Sequence, residues 1–273
     1  MSRDDLERLA RIARDAGEGI MKLYQGAFRV DYKGPGDPVT DADREANTLI
    51  CGRLAAEFPD AAIVAEESAS ELYANYRDHE RVFFVDPLDG TREYVAQNGQ
   101  FVVMIGLLEG ETATLGVVYA PTTGTLWCGG RGLGAFRRDA DGSERPVQVT
   151  GVSEPEQARL TVSRSRRSER MRHALSSLGA REVVPMGSAG LKGALVAEGS
   201  VDGYLAVGIA GKHWDACATD ALVSAAGGRV SDLRGRPFDY RSEELELSHG
   251  LLAANPALHA ALQQRLDSAS VRA

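Results

Sequence analysis

The sequence predicts an α+β protein whose two halves form one compact unit, and three observations carry that expectation. The first 25 residues show a helical stripe of apolar side chains. Residues 101–138 are a succession of β-rich runs separated by glycine turns, and from residue 160 onward strand-like and helix-like segments alternate. Residues 1–150 are assigned to an N-terminal half and 151–273 to a C-terminal half, with Val147–Glu156 as the joint.

Leu6, Leu9, Ile12, Ala13, Ala16, Ile20 and Leu23 share one face of a helix over residues 3–25. Tyr32–Pro38 holds two glycines and two prolines, which break regular structure and read as a plain linker or a mobile lid. Thr40 is a candidate N-cap, with Asp41 and Asp43 in the first helical turn and Ala46, Ile50 and Leu54 continuing one face. Capping alone would account for Asp41, whereas Asp43 could also accept a proton or orient a water. Ala61–Ala65 reads as a strand ending in Glu66-Glu67-Ser68, adjacent like charges that repel unless a cation offsets them. Residues 69–80 are polar and read as a helical or loop insertion.

Phe101–Leu108 and Thr112–Tyr119 flank Glu109-Gly110-Glu111 as a hairpin, and Thr125–Cys128 and Ala135–Arg138 are further short strands. Glycines 129, 130, 132 and 134 lack the strand–Gly-x-Gly-x-x-Gly–helix setting of a phosphate loop and read as a tight turn. In the second half, strands Leu160–Val162, Glu182–Val184 and Gly203–Val207 alternate with helices Glu169–Leu178 and Ala189–Glu198. Gly211–Cys217 leads into the apolar helix Ala218–Ala226, with Asp215 in its first turn. The isolated His213 is assigned no chemistry. Short strands near Val230 and Leu251 and a helix Pro256–Leu266 close the chain.

Composition narrows the function. The chain has 273 residues, 43 % apolar and 26 % charged, the profile of a soluble globular protein. A net charge of −8 argues against nucleic acid polymers and anionic membranes as partners. No apolar run approaches the roughly 20 residues needed to span a bilayer. The charged N-terminus has no signal-peptide core, and Cys51, Cys128 and Cys217 form no Cys-x-x-Cys pair, so a reducing cytoplasm is expected.

The chemistry centres on Val85–Tyr94. The buried strand Arg81–Val85 delivers Asp86 and Asp89 onto a turn where Pro87 fixes φ and Gly90 permits positive φ. Thr91 can open a helix whose free N–H groups face whatever lies ahead. With Asp43, Glu66 and Asp215 the acidic residues form an all-oxygen set, which selects Mg²⁺ or Mn²⁺ over zinc. Two such ions roughly 4 Å apart are a known arrangement for phosphoester hydrolysis.

Four motifs, in order, carry a resemblance: Val39-Thr-Asp-Ala-Asp43, Ala65-Glu-Glu-Ser68, Asp86-Pro-Leu-Asp-Gly-Thr91, and Trp214-Asp215 before an apolar helix with Gly227-Gly228 after it. Together they resemble the Mg²⁺-dependent, lithium-sensitive phosphatases of the inositol monophosphatase superfamily, over essentially the whole chain. The resemblance implies a layered αβαβα sandwich of the inositol monophosphatase and fructose-1,6-bisphosphatase type, usually dimeric. It implies one Mg²⁺ held by Glu66, Asp86 and the Leu88 carbonyl, a second by Asp86, Asp89 and Asp215, and a looser third near Glu66. Thr91 paired with Asp43 would help activate the attacking water, and the Gly90 and Thr91 N–H groups would grip the phosphate.

Within the superfamily, Arg92-Glu93-Tyr94, Ser163-Arg164-Ser165 and Gly187-Ser188-Ala189-Gly190-Leu191-Lys192 resemble the 3′(2′),5′-bisphosphate nucleotidases. That similarity implies Ser163, Arg166, Gly187, Ser188 and Lys192 as substrate contacts, and adenosine 3′,5′-bisphosphate (or its sulfated form) as substrate. Lys192 has a physical rationale, because a second phosphate needs a second cation. Two departures stand out: Arg166 occupies the place of a usual histidine, and Thr219-Asp220 replaces Pro-Glu. The alternatives are a phosphatase of inositol or another sugar phosphate and, ranked lower because no metal ligand is missing, a non-catalytic binder of phosphate ligands.

Overall fold

The computed structural model describes residues 2–165 and 168–271. The chain opens with helix α1 (Arg3–Tyr24), started by a capping box between Ser2 and Asp5. A hairpin of β1 (Val30–Gly34) and β2 (Asp37–Thr40) leads into α2 (Asp41–Glu57). A seven-stranded sheet follows: β3 (Ala62–Ala65), β4 (Arg81–Asp89), β5 (Val102–Glu109), β6 (Thr112–Ala120), β7 (Thr125–Gly130), β8 (Gly134–Arg138) and β9 (Glu144–Val147). They lie in sequence order, β3 parallel to β4 and every later pair antiparallel, with the short helix α3 (Thr91–Val95) between β4 and β5.

The second half holds β10 (Arg159–Ser163), α4 (Glu169–Leu178), β11 (Glu182–Met186), α5 (Ala189–Ala197), β12 (Gly203–Ala206), α6 (His213–Ala225), β13 (Arg229–Ser231), β14 (Leu251–Ala254) and α7 (Pro256–Ser268). Its five-stranded sheet runs β11-β10-β12-β14-β13, with β10 parallel to both neighbours and β14 antiparallel to both of its own.

Strand periodicity fixes the layers. Phe83, Val85, Val103, Ile105 and Val117 face α1 and α2, packing with Leu6, Ile12, Ile20, Ile50 and Leu54. Their sequence neighbours Val82, Phe84, Met104 and Val118 point to the other face, among Trp214, Cys217 and Leu222 of α6. Both faces of β4 and β5 are therefore buried, which is why these strands read as continuous apolar runs. Tyr204 and Ala253 of the smaller sheet join the α5–α6 side, whereas Leu160, Val162 and Leu205 pack on α4 and α7. The order α1α2, sheet, α5α6, sheet, α4α7 is the layered αβαβα sandwich.

Helix α6 is seated on a row of glycines. Gly106, Gly116 and Gly129 are cross-strand partners on β5, β6 and β7. A Cβ on Gly106 would lie 2.5 Å from Ala218 N and 2.8 Å from Cys217 Sγ, and one on Gly116 would overlap the Ala218 carbonyl. The helix backbone thus approaches the sheet more closely than any side chain allows.

One local expectation differs from what is seen, and one strand lies where the sequence assigns no element. Tyr32–Pro38 is not a break in structure, since β1 and β2 pair across it with an irregularity at Lys33, and Pro35-Gly36 form the turn between them. Glu144–Val147, with two charged residues and a proline, forms the edge strand β9, where a proline is tolerated. Among the described residues no helix is long and apolar enough to cross a membrane.

Two predictions follow the packing of α6. Gly116→Ala should destabilise the fold by about 1–3 kcal/mol, because the added methyl meets backbone rather than a movable side chain; denaturant unfolding measures it. Asp220 accepts hydrogen bonds from Tyr240 (3.1 Å) and Ser224 (3.2 Å), but burial outweighs them and pushes its pKa to about 6. A carboxyl raised in the fold contributes its full stability only below the unfolded value near 3.9, and loses it as pH rises through 6. Asp220→Asn should therefore be more stable than the parent by about 1–2 kcal/mol at pH 7.5, with the gap closing toward pH 4.

Candidate active site

The cleft lies where the ends of β3 and β4 meet the starts of α2, α3, α5 and α6. Parallel pairing of Ala65 with Val85 places Glu66 beside Asp86, and the Glu66 N–H donates to the Val85 carbonyl (3.1 Å). The β4–β5 ladder skips between Asp86 and Asp89, so Pro87 and Leu88 bulge outward, and the Leu88 N–H returns to Asp86 Oδ1 (3.0 Å). Gly90 has φ 100°, and a Cβ there would lie 2.8 Å from the Gln100 carbonyl, so this turn requires glycine. Thr91 Oγ1 donates to Asp43 Oδ1 (2.9 Å) and lies 3.2 Å from the Leu88 carbonyl. Asp43 Oδ2 in turn accepts from the Thr40 N–H (2.7 Å) and hydroxyl (2.5 Å). Asp215 sits in the first turn of α6, its Oδ2 held by the Lys212 N–H (2.6 Å).

Asp86, Asp89 and Asp215 each offer a carboxylate oxygen within 4.8 Å of the others. Asp86 is 2 % exposed, and its pKa is driven well above the carboxylate range by burial first, then by Glu66, Asp89, Asp215 and Asp43. Burial also raises Asp43 against its three hydrogen bonds, with Glu66 adding to the rise. So concentrated a negative charge with oxygen donors alone fits a hard divalent cation, which would remove the repulsion.

The second half completes the cleft. Ser188 donates its hydroxyl to Asp89 Oδ2 (2.5 Å), and the Gly190 N–H donates to the same oxygen (2.6 Å). Buried Lys192 donates to the Ser188 and Gly187 carbonyls and lies 5.0 Å from the Tyr204 ring centre. Gln100 Oε1 accepts from the Gly187 N–H (2.9 Å) and Arg164 Nη2 (2.7 Å), and a Cβ on Gly187 would collide with Glu93. The cleft encloses about 190 Å³ and is lined by Gly90, Thr91, Ser163, Gly187, Ser188, Lys192 and Asp215, among others.

The expected site residues thus converge from about 170 positions of sequence, Asp43, Glu66, Asp86, Leu88, Asp89, Thr91 and Asp215 at one end of the large sheet, and Ser163, Gly187, Ser188 and Lys192 on the facing wall. Arg166 lies outside the described residues. Thr219 and Asp220 lie away from the cleft: Thr219 is buried where Gly193 of α5 gives it room, and Asp220 bonds Tyr240. Sequence reasoning missed Lys33, whose ammonium lies 2.7 Å from both Glu66 Oε1 and Glu67 Oε1. Burial opposes the Lys33 charge, but the two carboxylates outweigh it and raise its pKa. Burial raises Glu66; Lys33 lowers it without cancelling the rise, to which Glu67 and Asp89 add. The strand position of Lys33 follows from the unforeseen hairpin. Gln100 was missed because a lone amide in a loop carries no spacing signal.

The family model described as the inositol monophosphatase family matches residues 3–269. The 3′(2′),5′-bisphosphate nucleotidase CysQ of Escherichia coli O157:H7 is 36 % identical over 248 residues, covering 90 % of this chain and 97 % of that protein. Among solved structures, the extragenic suppressor protein suhB of Bartonella henselae superposes with a TM-score of 0.83 at 26 % identity, over 96 % of this chain and 98 % of that one. CysQ of Bacteroides thetaiotaomicron does so with a TM-score of 0.77 at 25 % identity, over 93 % and 97 %.

If the cluster holds a cation, Asp86→Asn should unfold at a higher temperature than the parent in chelator, because one buried like charge is gone. It should also lose the gain that a divalent cation gives the parent, about 2.7 kcal/mol at a free concentration one hundred times Kd. Thermal unfolding with and without cation reads both; an unchanged gain in Asp86→Asn would remove Asp86 from the site.

Proposed function

The chain belongs to the inositol monophosphatase family and is a phosphatase, and from that premise we propose that it removes the 3′-phosphate of adenosine 3′,5′-bisphosphate with Mg²⁺ as cofactor. The observation that carries the substrate class is the 36 % identity to a bisphosphate nucleotidase across nearly the full length of both chains. Mg²⁺ would be held by Glu66, Asp86, the Leu88 carbonyl, Asp89 and Asp215, with the sensitivity to Li⁺ expected of such sites. Bound there, Mg²⁺ supplies charge neutralisation for the phosphate and lowers the pKa of water.

The chain's own residues supply the rest. The Thr91 hydroxyl donates its hydrogen bond to Asp43, so the lone pairs of Oγ1 are available to accept a hydrogen bond from an incoming water and fix its orientation. Burial makes Asp43 a better proton acceptor than a solvated aspartate, in keeping with a base role relayed through Thr91. The first turn of α3 leaves N–H groups without intrahelical partners, placed by the Gly90 turn to meet phosphate oxygens.

One observation favours a second reading, a phosphatase of inositol or another sugar phosphate. Lys192, the described cation expected at a second phosphate, is bonded to two main-chain carbonyls, and Arg164 beside it to Gln100, so both already hold the protein together. The test is phosphate release from adenosine 3′,5′-bisphosphate, inositol 1-phosphate and fructose 1,6-bisphosphate with Mg²⁺, with chelator, and with Li⁺ added. The nucleotide should be preferred at least tenfold in kcat/KM, and Thr91→Val should lose about 100-fold in kcat on it. Preference for inositol phosphate would establish the second reading, and full activity in chelator would overturn the metal assignment.

A further inference from the structure

Ser188 combines three features that packing alone does not require. Its φ is 59° with ψ 128°, outside the left-handed helical well and in positive-φ territory that favours glycine. Its hydroxyl accepts the Leu191 N–H (3.0 Å), as an N-cap should, and so directs its own proton outward to Asp89 Oδ2 (2.5 Å). Its backbone is clamped in that conformation from both sides, with Lys192 on the Gly187 and Ser188 carbonyls and Gln100 on the Gly187 N–H. A cap by itself would be served nearly as well by glycine, without the strain.

We propose that Ser188 is a positioning residue for cation binding rather than a substrate contact. With the Gly190 N–H, its hydroxyl pins Asp89 by Oδ2 and leaves Oδ1 as the oxygen available to a cation shared with Asp86 and Asp215. Both bonds to Asp89 fall on the same oxygen, and no hydrogen bond to Oδ1 is formed among the described residues. A carboxylate turned freely about χ2 would present its two oxygens interchangeably; one held by two donors presents a single oxygen in a fixed direction, which is what an ion with a strict coordination geometry demands. The donors come from the second half and the carboxylate from the first, so the orientation exists only when the two sheets are docked across α5 and α6. The role rests on the metal-site reading above.

The test sets cation affinity against fold stability. Ser188→Gly removes the hydroxyl and relieves the positive-φ backbone, whereas Ser188→Thr keeps the hydroxyl and adds β-branching at positive φ. Calorimetric titration of Mg²⁺ into each full-length protein should give a Kd at least fivefold weaker for Ser188→Gly and within twofold of the parent for Ser188→Thr. Urea unfolding in chelator should order them oppositely, with Ser188→Gly at or above the parent and Ser188→Thr below it. A merely structural serine would move affinity and stability together. Parent-like affinity in Ser188→Gly, or Ser188→Thr binding as weakly as Ser188→Gly, would overturn the role of Ser188 alone. A parent chain that takes up no Mg²⁺ would overturn the metal site with it.

Discussion

Mutual repulsion among buried carboxylates is the constraint around which this molecule is built. Asp43, Asp86 and Asp89 are 1 %, 2 % and 7 % exposed and stand close to Glu66 and Asp215. Left to themselves such groups would part or take up protons. They are held in register because each is fixed by an element that has other reasons to be where it is. Glu66 and Asp86 end adjacent parallel strands, Asp43 caps α2, and Asp215 starts a helix pressed onto bare glycine backbone. Packing free energy from the apolar layers is thus committed to keeping like charges together. Lys33 partly relieves that repulsion from the β1–β2 hairpin.

Much of this was legible in the sequence, and the residues show why. Asp86 to Thr91 could be read because a buried strand, a proline, a glycine and a helix start follow one another within a few positions, so local rules suffice. Asp215 could be read as a first-turn carboxylate for the same reason. The hairpin at Tyr32–Pro38 could not, because its glycines and prolines signal interruption, and the contacts its turn and β2 make with Arg92 and α3 lie far along the chain. The hydroxyl of Ser188 and the amide of Gln100 act over 99 and 87 positions respectively, separations at which no periodicity survives. The charge of Lys192 predicts a phosphate partner, whereas the carbonyls its ammonium fastens carry no mark in the sequence.

The two sheets also divide labour unequally. The larger one and its flanking helices contribute Glu66, Asp86, Asp89, Thr91 and Asp43, while the smaller half contributes Asp215 and the groups that steady Asp89. Helices α5 and α6, shared between the sheets, are the means of that cooperation. Thr219 fitted over Gly193 keeps them close, and Asp220 with Tyr240 anchors the middle of α6. Thr219 and Asp220 thus belong to interlayer packing and do not line the cleft.

The glycine bed beneath α6 has a further consequence, for thiol chemistry. Cys217 lies sealed between that helix and Gly106, fully buried, with burial holding its thiol well above the ordinary range. Modifying reagents need both access and a thiolate, and here neither exists while helix and sheet remain in contact. Labelling at this sulfur would consequently be a clock for the parting of the middle layer, silent in the native state and started only by breathing of the sandwich itself.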